Sequence, residues 1–350
     1  MISEYTMFNS VKGCIDQEVK TIIANTNNKL FFKNKKILIT GGCGMLLTHS
    51  LFSLINLASN QEDIYLIVRD IDKAKKYISK LYGVHNINLI KSDLSMPLEL
   101  HVDIIIHGAG YGNPSNFTNN SDLMYRANIF GTYNLLQLSK INPGLTFIFI
   151  SSGAVYGEPR GIEIIGEEFL GVIDQKLGPS IYGETKKIGE LMCYQSYLNG
   201  EIDLKILRPA HFYGPTVNLI GDSRIFSNFV FNILKDQDLV IKGDGFSKRS
   251  FGHVIDFSIG LLTVISNGKN GEAYNIGNDK SYMSINQLAE YFLEAYPGRK
   301  IKRLFQAGEL SNKMLLSSKK IEELGWKPIV NIKDGIKSTI NLYRVSGDYS

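Results

Sequence analysis

The chain has 350 residues, 44% of them hydrophobic, with a mean hydropathy of −0.04 and a net charge of +4, which predicts a soluble globular protein with one large α/β domain and a smaller lobe. The charge is spread without a long basic run, which argues against nucleic-acid binding, and the longest apolar runs, such as 145–150, are too short to span a membrane. Three widely spaced cysteines, no metal-ligand histidine spacing and no secretory signal predict a cytoplasmic protein without a metal site.

Residues 1–34 precede the first convincing strand and are predicted to form an N-terminal extension. Apolar residues recur in it at helical spacing, at Val11, Ile15, Val19, Ile22 and Ile23. This spacing favours a helix packed on the domain over a disordered tail.

Short apolar segments then alternate with helical patterns over residues 35–207. The predicted strands cover 36–40, 64–68, 87–91, 102–107, 145–151 and 203–207, and the predicted helices run to 57 and over 72–81, 121–139 and 179–197. Fully apolar short strands separated by helices are typical of a parallel sheet buried on both faces. The sequence therefore predicts an α/β fold with a Rossmann-like, doubly wound parallel sheet.

The regular alternation ends after Arg208. Glycine, proline and aspartate clusters separate irregular strands in residues 208–350. We expect a smaller, partly discontinuous C-terminal substrate lobe there, with some segments returning to the first domain. It would lie over the carboxyl ends of the parallel strands, where open α/β sheets bind ligands.

A glycine-rich turn, Thr40-Gly-Gly-Cys-Gly-Met-Leu-Leu47, connects the first strand to the first helix of this series. Gly41 and Gly44 permit a tight turn and close approach to a pyrophosphate, which the helix N-terminus at Met45 stabilises. Leu47 occupies the position where a third glycine usually allows close helix packing, and it can shift the helix outward. The turn predicts dinucleotide binding, with an ordinary glycine turn as the alternative.

The end of the second strand bears on the choice between NAD and NADP. Arg69 follows the strand directly and can pair with the 2′-phosphate of NADP. Asp70 can serve the ribose of NAD if the strand ends one residue later. The sequence leans towards NADP, and two solvated charges are the structural alternative.

The third and fourth strands end in further candidate cofactor residues. Asp93 and Leu94 follow the third strand, where adenine is expected. His107 and Ala109, in His107-Gly-Ala-Gly110, can line the adenosine and pyrophosphate edge. His107 fits a structural histidine equally well.

Ser152, Tyr182 and Lys186 are the candidate catalytic residues. Tyr182 and Lys186 share one helix face in Ile181-Tyr-Gly-Glu-Thr-Lys-Lys187, so the ammonium can lower the pKa of the phenol. Ser152, in Ser151-Ser-Gly-Ala-Val-Tyr-Gly157, can hold the reacting oxygen. This set can move a proton at an alcohol carbon while a nicotinamide moves the hydride.

In this order, the motifs resemble the extended short-chain dehydrogenase/reductases, specifically the NAD(P)-dependent nucleotide-sugar epimerase/dehydratase family. The resemblance covers roughly residues 36–345. Four further motifs carry it, namely Leu-Arg-Pro-Ala-His-Phe-Tyr-Gly-Pro at 207–215, Gly-Asp-Gly-Phe-Ser-Lys-Arg-Ser-Phe at 243–251, Ala-Tyr-Asn-Ile-Gly at 273–277 and Leu-Gly-Trp-Lys-Pro at 324–328.

The resemblance implies a role for each residue of the catalytic region. Tyr182 would be the general base and acid, Lys186 its electrostatic partner and a ribose ligand, and Ser152 the hydroxyl that aligns the substrate. Pro209 would lie beside the nicotinamide amide. Asn128 would support the active site, with a surface asparagine as the alternative.

The resemblance also implies a nucleoside-diphosphate sugar as substrate. Arg249 matches the arginine that grips the substrate pyrophosphate, a task suited to its planar fork. Arg224 would contribute to the same pocket or form a surface ion pair. His211 stands where the family usually has an asparagine that touches the sugar nucleotide.

Gly153 and Ala154 narrow the expected reaction. In the 4,6-dehydratases of the family these positions carry Asp-Glu, and sugar-acid decarboxylases carry a glutamate just before Val-Tyr-Gly. Glycine and alanine exchange no protons, which disfavours dehydration and decarboxylation. A C4 epimerase and an NADPH-dependent 4-keto reductase both need only the serine, tyrosine, lysine and nicotinamide. We favour the epimerase, and a non-catalytic nucleotide-sensing protein remains a further alternative.

The resemblance further implies a homodimer, in which the helix over 121–139 and the Tyr182 helix pack against their copies. Leu135, Leu136, Leu138, Leu191 and Tyr194 are compatible with such an interface. Packing in the core of one subunit explains them equally well.

Overall fold

The computed structural model describes residues 10–110, 112, 121–158, 161–216, 218–304 and 314–347. The strands are β1 (Ile37–Thr40), β2 (Ile64–Val68), β3 (Asn88–Lys91), β4 (Ile104–His107), β5 (Thr146–Ile150), β6 (Ile164–Ile165), β7 (Asp203–Pro209), β8 (His211–Tyr213), β9 (Leu239–Lys242), β10 (Lys248–His253), β11 (Glu272–Ile276), β12 (Tyr282–Ser284), β13 (Ile301–Leu304) and β14 (Leu315–Leu316).

The helices are α1 (Val11–Ala24), α2 (Met45–Leu57), α3 (Ile71–Leu81), the composite helix α4 (121–141), α5 (Ser180–Leu198), α6 (Ile225–Leu234), α7 (Val254–Asn267), α8 (Ile285–Ala295), α9 (Lys319–Glu322) and α10 (Ile332–Ser346). Helix α4 is composite and consists of α-helix Ser121–Met124, π-helix Tyr125–Phe130, α-helix Gly131–Leu136 and 3₁₀-helix Gln137–Ile141. Short 3₁₀ turns lie at Lys29–Phe32, Gln61–Asp63, Gly153–Tyr156 and Asp279–Ser281.

Seven strands form one parallel sheet in the order β11-β7-β5-β4-β1-β2-β3. Alternate residues of β1 enter different cores, because Ile37 and Ile39 pack in one apolar cluster and Leu38 in another. Helices α1, α2 and α7 cover the first face, and α4 and α5 cover the second. The predicted Rossmann-like, doubly wound parallel sheet is confirmed.

The strand order reverses between β1 and β4. Chain order runs outward from β1 to β2 and β3 on one side, and from β4 to β5 and β7 on the other. At such a switch point the connections diverge to opposite faces and leave a crevice at the carboxyl ends of the strands. Thr40 and His107, which pair across β1 and β4, mark this crevice.

Helix α1 lies in the N-terminal extension and packs on the sheet domain. It buries Ile15, Val19 and Ile22 in the core that also contains α2. Its Glu18 carboxylate lies 2.6 Å from Nε2 of His49 on α2, and both side chains are buried. A buried glutamate is tolerated there because the histidine pairs with it.

The C-terminal part of the chain builds a second apolar core around Phe226, Phe229 and Phe292. A three-stranded sheet of order β12-β10-β8 belongs to this lobe, as do the paired strands β9 and β13. Strand β11 returns to the main sheet and pairs with β7, and β14 pairs with β6. Among the described residues, no helix combines the length and apolarity needed to cross a bilayer.

The structure differs from the sequence prediction along α4. The expected single helix over 121–139 is interrupted by the π-helical turn of Tyr125–Phe130, in which Asn128 is buried. Such turns are frequent at functional sites, because they re-aim a side chain without ending the helix. Leu135, Leu136 and Leu138 are buried in the subunit core, so core packing explains these three leucines.

Candidate functional site

The glycine-rich turn between β1 and α2 brings Gly41, Gly44 and Met45 to the switch-point crevice. Gly41 has φ of 77°, and a Cβ on it would lie 2.6 Å from the Gly108 carbonyl oxygen, so only glycine fits. Gly44 caps α2, which begins at Met45. The turn thereby presents a helix N-terminus at the ends of β1 and β4, the arrangement that binds a pyrophosphate.

The two charged residues after β2 have different environments. Asp70 is the N-cap of α3, and its carboxylate accepts a hydrogen bond of 2.9 Å from the Lys73 backbone N–H. Arg69 is exposed at the end of the strand. Asp70 therefore has a structural role at the start of α3, and both side chains lie at the end of β2.

Asp93 and Leu94 lie at the turn after β3. Asp93 accepts hydrogen bonds from the backbone and hydroxyl of Ser95, and these bonds lower the pKa of its exposed carboxyl. Leu94 is buried with φ of 64°, and its carbonyl accepts a hydrogen bond from Asn134 of α4. Both residues thus shape a fixed turn beside the adenosine end of the crevice.

His107 is buried and its two ring nitrogens have protein partners. Nδ1 lies 2.8 Å from Thr40 Oγ1, and Nε2 lies 3.0 Å from Thr132 Oγ1. Burial, followed by the positive charge of Lys186, lowers its pKa to about 3, so the ring is neutral. The Ala109 N–H also donates to Thr40 Oγ1, at 3.0 Å. His107 therefore fits the structural alternative, since neither nitrogen is left for a cofactor.

Tyr182 and Ser152 are hydrogen bonded to each other in the cleft. Burial raises the pKa of Tyr182, while the Ser152 hydrogen bond and then the positive charge of Arg224 lower it. Ser152 also caps the 3₁₀ turn that follows β5, since its Oγ accepts a hydrogen bond from the Ala154 N–H. The hydroxyl is thus fixed next to the phenol, as an alignment role requires.

Lys186 is buried one helical turn after Tyr182. Its Nζ donates to the Ile150 carbonyl at 2.9 Å and lies 5.1 Å from the ring centroid of Phe149. Burial lowers the pKa of Lys186 to about 8, and the carboxylate of Glu190 opposes this shift. The positive charge of Arg224 also lowers the pKa of Tyr182.

Asn128 and Gly110 complete the space around Lys186. Asn128 Nδ2 donates to Thr185 Oγ1 at 3.0 Å, and its buried Oδ1 has no partner among the described residues. A Cβ on Gly110 would lie 3.0 Å from this oxygen and 3.5 Å from Lys186 Nζ. A glycine-lined space beside an unpaired acceptor and an ammonium suits polar groups such as ribose hydroxyls. The residues present therefore fit a nicotinamide dinucleotide.

A buried ionic network that the sequence reasoning missed lies behind the catalytic helix. Arg208 Nε and Nη2 pair with the Glu190 carboxylate at 2.9 and 2.7 Å, and the Ser151 hydroxyl donates to the same carboxylate. Arg208 Nη1 also reaches the Tyr156 hydroxyl at 2.9 Å. The available signal was the spacing of Glu190, four residues after Lys186 and so on the same helix face. The network fixes α5 against β5 and β7.

Arg224, Arg249 and His211 lie on the substrate side of the cleft. Arg249 Nη1 is 3.4 Å from His211 Nε2. His211 keeps some solvent exposure. Desolvation in the cleft lowers its pKa, and the positive charges of Arg249 and then Arg224 lower it further. The imidazole ring is therefore neutral. Arg224 forms an ion pair with Asp222, and its Nη1 lies 3.8 Å from Met45 Sδ at the start of α2. This cationic pocket suits a diphosphate.

Gly153 and Ala154 follow Ser152 in the 3₁₀ turn. A Cβ on Gly153 would lie 2.7 Å from Leu316 Cδ1 and 3.4 Å from the Pro209 carbonyl oxygen. Pro209 itself ends β7 beside this turn. Ala154 is half-buried. Neither residue carries a proton-transferring side chain, and the described residues include no cluster of three or more His, Cys, Asp or Glu suited to a metal ion.

The fold and the residues at the switch point define a Rossmann-type enzyme that uses a nicotinamide dinucleotide. The model of the NAD-dependent epimerase/dehydratase family matches residues 37–277, well over half of the chain. The chain belongs to this family, whose members act on nucleotide sugars and are NAD(P)-dependent.

The chain is similar to curated and solved proteins of several activities. UDP-glucuronic acid decarboxylase 6 of Arabidopsis thaliana is 30% identical over 314 residues, 89% of each chain. UDP-glucuronic acid 4-epimerase of Bacillus cereus, solved with NAD and UDP-glucuronic acid, has a TM-score of 0.73 and 24% identity over 89% of this chain and 99% of that chain. The dTDP-glucose 4,6-dehydratase DesIV of Streptomyces venezuelae has a TM-score of 0.76 and 23% identity over 88% of this chain and 96% of that chain. At these identities the two structures show the fold alone.

Proposed function

We propose that the protein is a nucleotide-sugar C4 epimerase that acts through a 4-keto intermediate. The observation that carries the proposal is the hydrogen-bonded Ser152 and Tyr182, next to a turn whose following residues cannot exchange protons. Dehydration and decarboxylation need an additional acid or base, which Gly153 and Ala154 do not supply. The decarboxylase relatives therefore indicate the substrate class more strongly than the reaction.

The proposed reaction uses each residue for one task. Tyr182 takes the proton of the C4 hydroxyl while Ser152 holds the same oxygen. A bound nicotinamide would supply the hydride acceptor for C4 and, after the keto sugar turns over, the hydride donor to its opposite face. Lys186 would hold the ribose of the cofactor, and its charge would favour the phenolate of Tyr182. Tyr182 then returns the proton to the sugar oxygen. Because the hydride also returns to the sugar, the overall reaction would consume no cofactor.

The substrate is proposed to be a nucleoside-diphosphate sugar. Arg249 and Arg224 are the cations of the cleft that suit its diphosphate, and His211 offers a neutral ring for a further hydrogen bond.

An NADPH-dependent 4-keto reductase is the second candidate, and Arg69 favours it. Arg69 is exposed directly after β2, where the adenosine ribose is expected, and Asp70 caps α3. An arginine at this position suits the 2′-phosphate of NADP. NADP is therefore the proposed cofactor in preference to NAD, and NADPH is the usual exchangeable reductant.

A homodimer is proposed through α4 and α5. Tyr125, Phe130 and Tyr133 of α4 are exposed, and so are Leu191 and Leu198 of α5. Exposed large apolar side chains on two adjacent helices are typical of an interface. Sedimentation of Leu191→Glu should then give a monomer where the unmodified protein gives a dimer.

The reaction is tested by incubating the purified protein with nucleotide sugars and with 4-keto-6-deoxy derivatives, with and without NADPH, and following products by NMR. Interconversion of C4 epimers without added cofactor supports the epimerase. Turnover that strictly requires stoichiometric NADPH contradicts it and supports the reductase. Tyr182→Phe should abolish either reaction, whereas Tyr194→Phe, on the same helix, should not. A nucleotide-sensing role would instead leave cellular function intact in Tyr182→Phe.

A further inference from the structure

Leu47 stands where a dinucleotide-binding turn usually has a glycine that lets the helix approach the sheet. The side chain is 2% exposed and packs in the core shared by α2 and the sheet. Its N–H donates to the Gly44 carbonyl at 3.1 Å. Leu47 is therefore tied directly to the turn that presents the N-terminus of α2.

Gly108 lies opposite Leu47, and because it has no side chain it leaves the space that the Leu47 side chain occupies. A Cβ on Gly108 would lie 2.3 Å from Leu47 Cδ1 and 3.4 Å from Ile150 Cγ1. Carbon atoms in a close-packed core do not approach to 2.3 Å, so the leucine fills volume that any other residue at position 108 would need.

The backbone of Gly108 is not free to move away from Leu47. The Gly108 N–H donates to the Thr40 carbonyl at 3.1 Å, and the next N–H, of Ala109, donates to Thr40 Oγ1 at 3.0 Å. On its other side, the Gly108 carbonyl lies against Gly41 of the turn. A side chain at position 108 would therefore push on Leu47, and through Leu47 on the turn.

We infer that Leu47 and Gly108 form a reciprocal size pair that positions the pyrophosphate-binding turn, with the large residue on the helix and the glycine on the strand end. Leu47 is a positioning residue, since it acts on the cofactor through the turn. The inference rests on the binding of a nicotinamide dinucleotide and is independent of the reaction performed on the sugar.

The test is a double-mutant cycle with cofactor binding as its readout. Dissociation constants for NADPH and NADH are measured by calorimetry for Gly108→Ala, Leu47→Ala and the double variant, with thermal unfolding recorded for each. Overpacking by Gly108→Ala should weaken cofactor binding about tenfold. The double variant should recover most of this loss, because its alanine at 108 enters the volume that Leu47 leaves. The two single effects should therefore fail to add.

Leu54→Ala is the matched control, since Leu54 is fully buried on α2 in the same cluster. It should lower the unfolding temperature as Leu47→Ala does, while the dissociation constants stay within about twofold of the unmodified protein. Wild-type affinity in Gly108→Ala, additive losses in the double variant, or equal weakening by Leu54→Ala would each overturn the inference. If Gly108→Ala does not fold, Leu47→Ala against Leu54→Ala decides alone. Weaker cofactor binding in Leu47→Ala and unchanged binding in Leu54→Ala would support the positioning role of Leu47.

Discussion

Replacing Lys186 by methionine is expected to stabilise the folded chain while abolishing catalysis. Lys186 is 4% exposed, and burial, opposed in part by Glu190, lowers its pKa from 10.5 to about 8. A fall of about 2.5 at ~1.36 kcal/mol per pKa unit corresponds to about 3 kcal/mol against folding. Methionine removes this cost but leaves the Ile150 carbonyl without its lysine donor, which costs about 1–2 kcal/mol. The net gain is about 1–2 kcal/mol at neutral pH.

The pH dependence of this gain distinguishes the electrostatic cost from better packing. Between the folded pKa of about 8 and the unfolded value of 10.5, the unfolded chain keeps a proton that folded Lys186 has released. The stability of the unmodified protein therefore rises with pH across this window, and the advantage of Lys186→Met declines. Below pH 8 the advantage is constant, because the lysine is charged in both states.

Urea unfolding followed by circular dichroism, at about pH 7 and about pH 10, measures the effect. Lys187→Met is the control, because Lys187 is the adjacent, half-buried lysine and donates to the Gly171 carbonyl at 2.8 Å. It should give no gain at either pH. A destabilised Lys186→Met, or a gain that does not decline towards pH 10, would refute the reasoning. Turnover in Lys186→Met should fall at least about 100-fold.

Three further predictions concern other sites. Gly153→Asp should lower the free energy of unfolding by about 1–3 kcal/mol through overpacking against Leu316, while Ala154→Glu should leave thermal unfolding nearly unchanged. Equal losses of stability in the two variants would contradict the assignment of the two environments. Burial raises the pKa of Asp256 to about 7. The stability advantage of Asp256→Asn over the unmodified protein should therefore grow as pH rises from 4 to 7, by at most about 4 kcal/mol in urea unfolding. An advantage that does not depend on pH would contradict this prediction. Glu18→Ala should cost about 3 kcal/mol in urea unfolding, because it leaves its buried histidine partner unpaired; an unchanged stability would show that this pair does not hold α1.

The main sheet could be predicted because its strands are short, β-branched and apolar on both faces. A segment such as Ile37–Thr40 can be stable only between two helical layers, and this burial is visible in its composition. Strand β11, Glu272–Ile276, could not be placed in the same way. Its pairing with β7 depends on how the second lobe folds back, and no local pattern records that contact.

The site residues likewise divide into those whose role is visible in the local sequence and those whose role depends on contacts with distant parts of the chain. The turn at Gly41 and the Tyr182–Lys186 spacing are local, so the sequence displays them. The capping role of Asp70 is equally local, since a helix begins directly after it, but the sequence was interpreted in terms of a ribose ligand or a solvated charge. His107 and Arg208 depend on partners far along the chain, and their roles appear only when β1, β4, β5 and β7 lie side by side.

Gly153 and Ala154, the two positions after Ser152, are constrained differently in this fold. A Cβ at position 153 would lie 2.7 Å from Leu316 Cδ1, so an acid there would require the buried Leu316 side chain to shift. Ala154 is half-buried at the same turn, and a carboxylate there demands no such movement. An acidic side chain is therefore accommodated more easily at position 154 than at position 153.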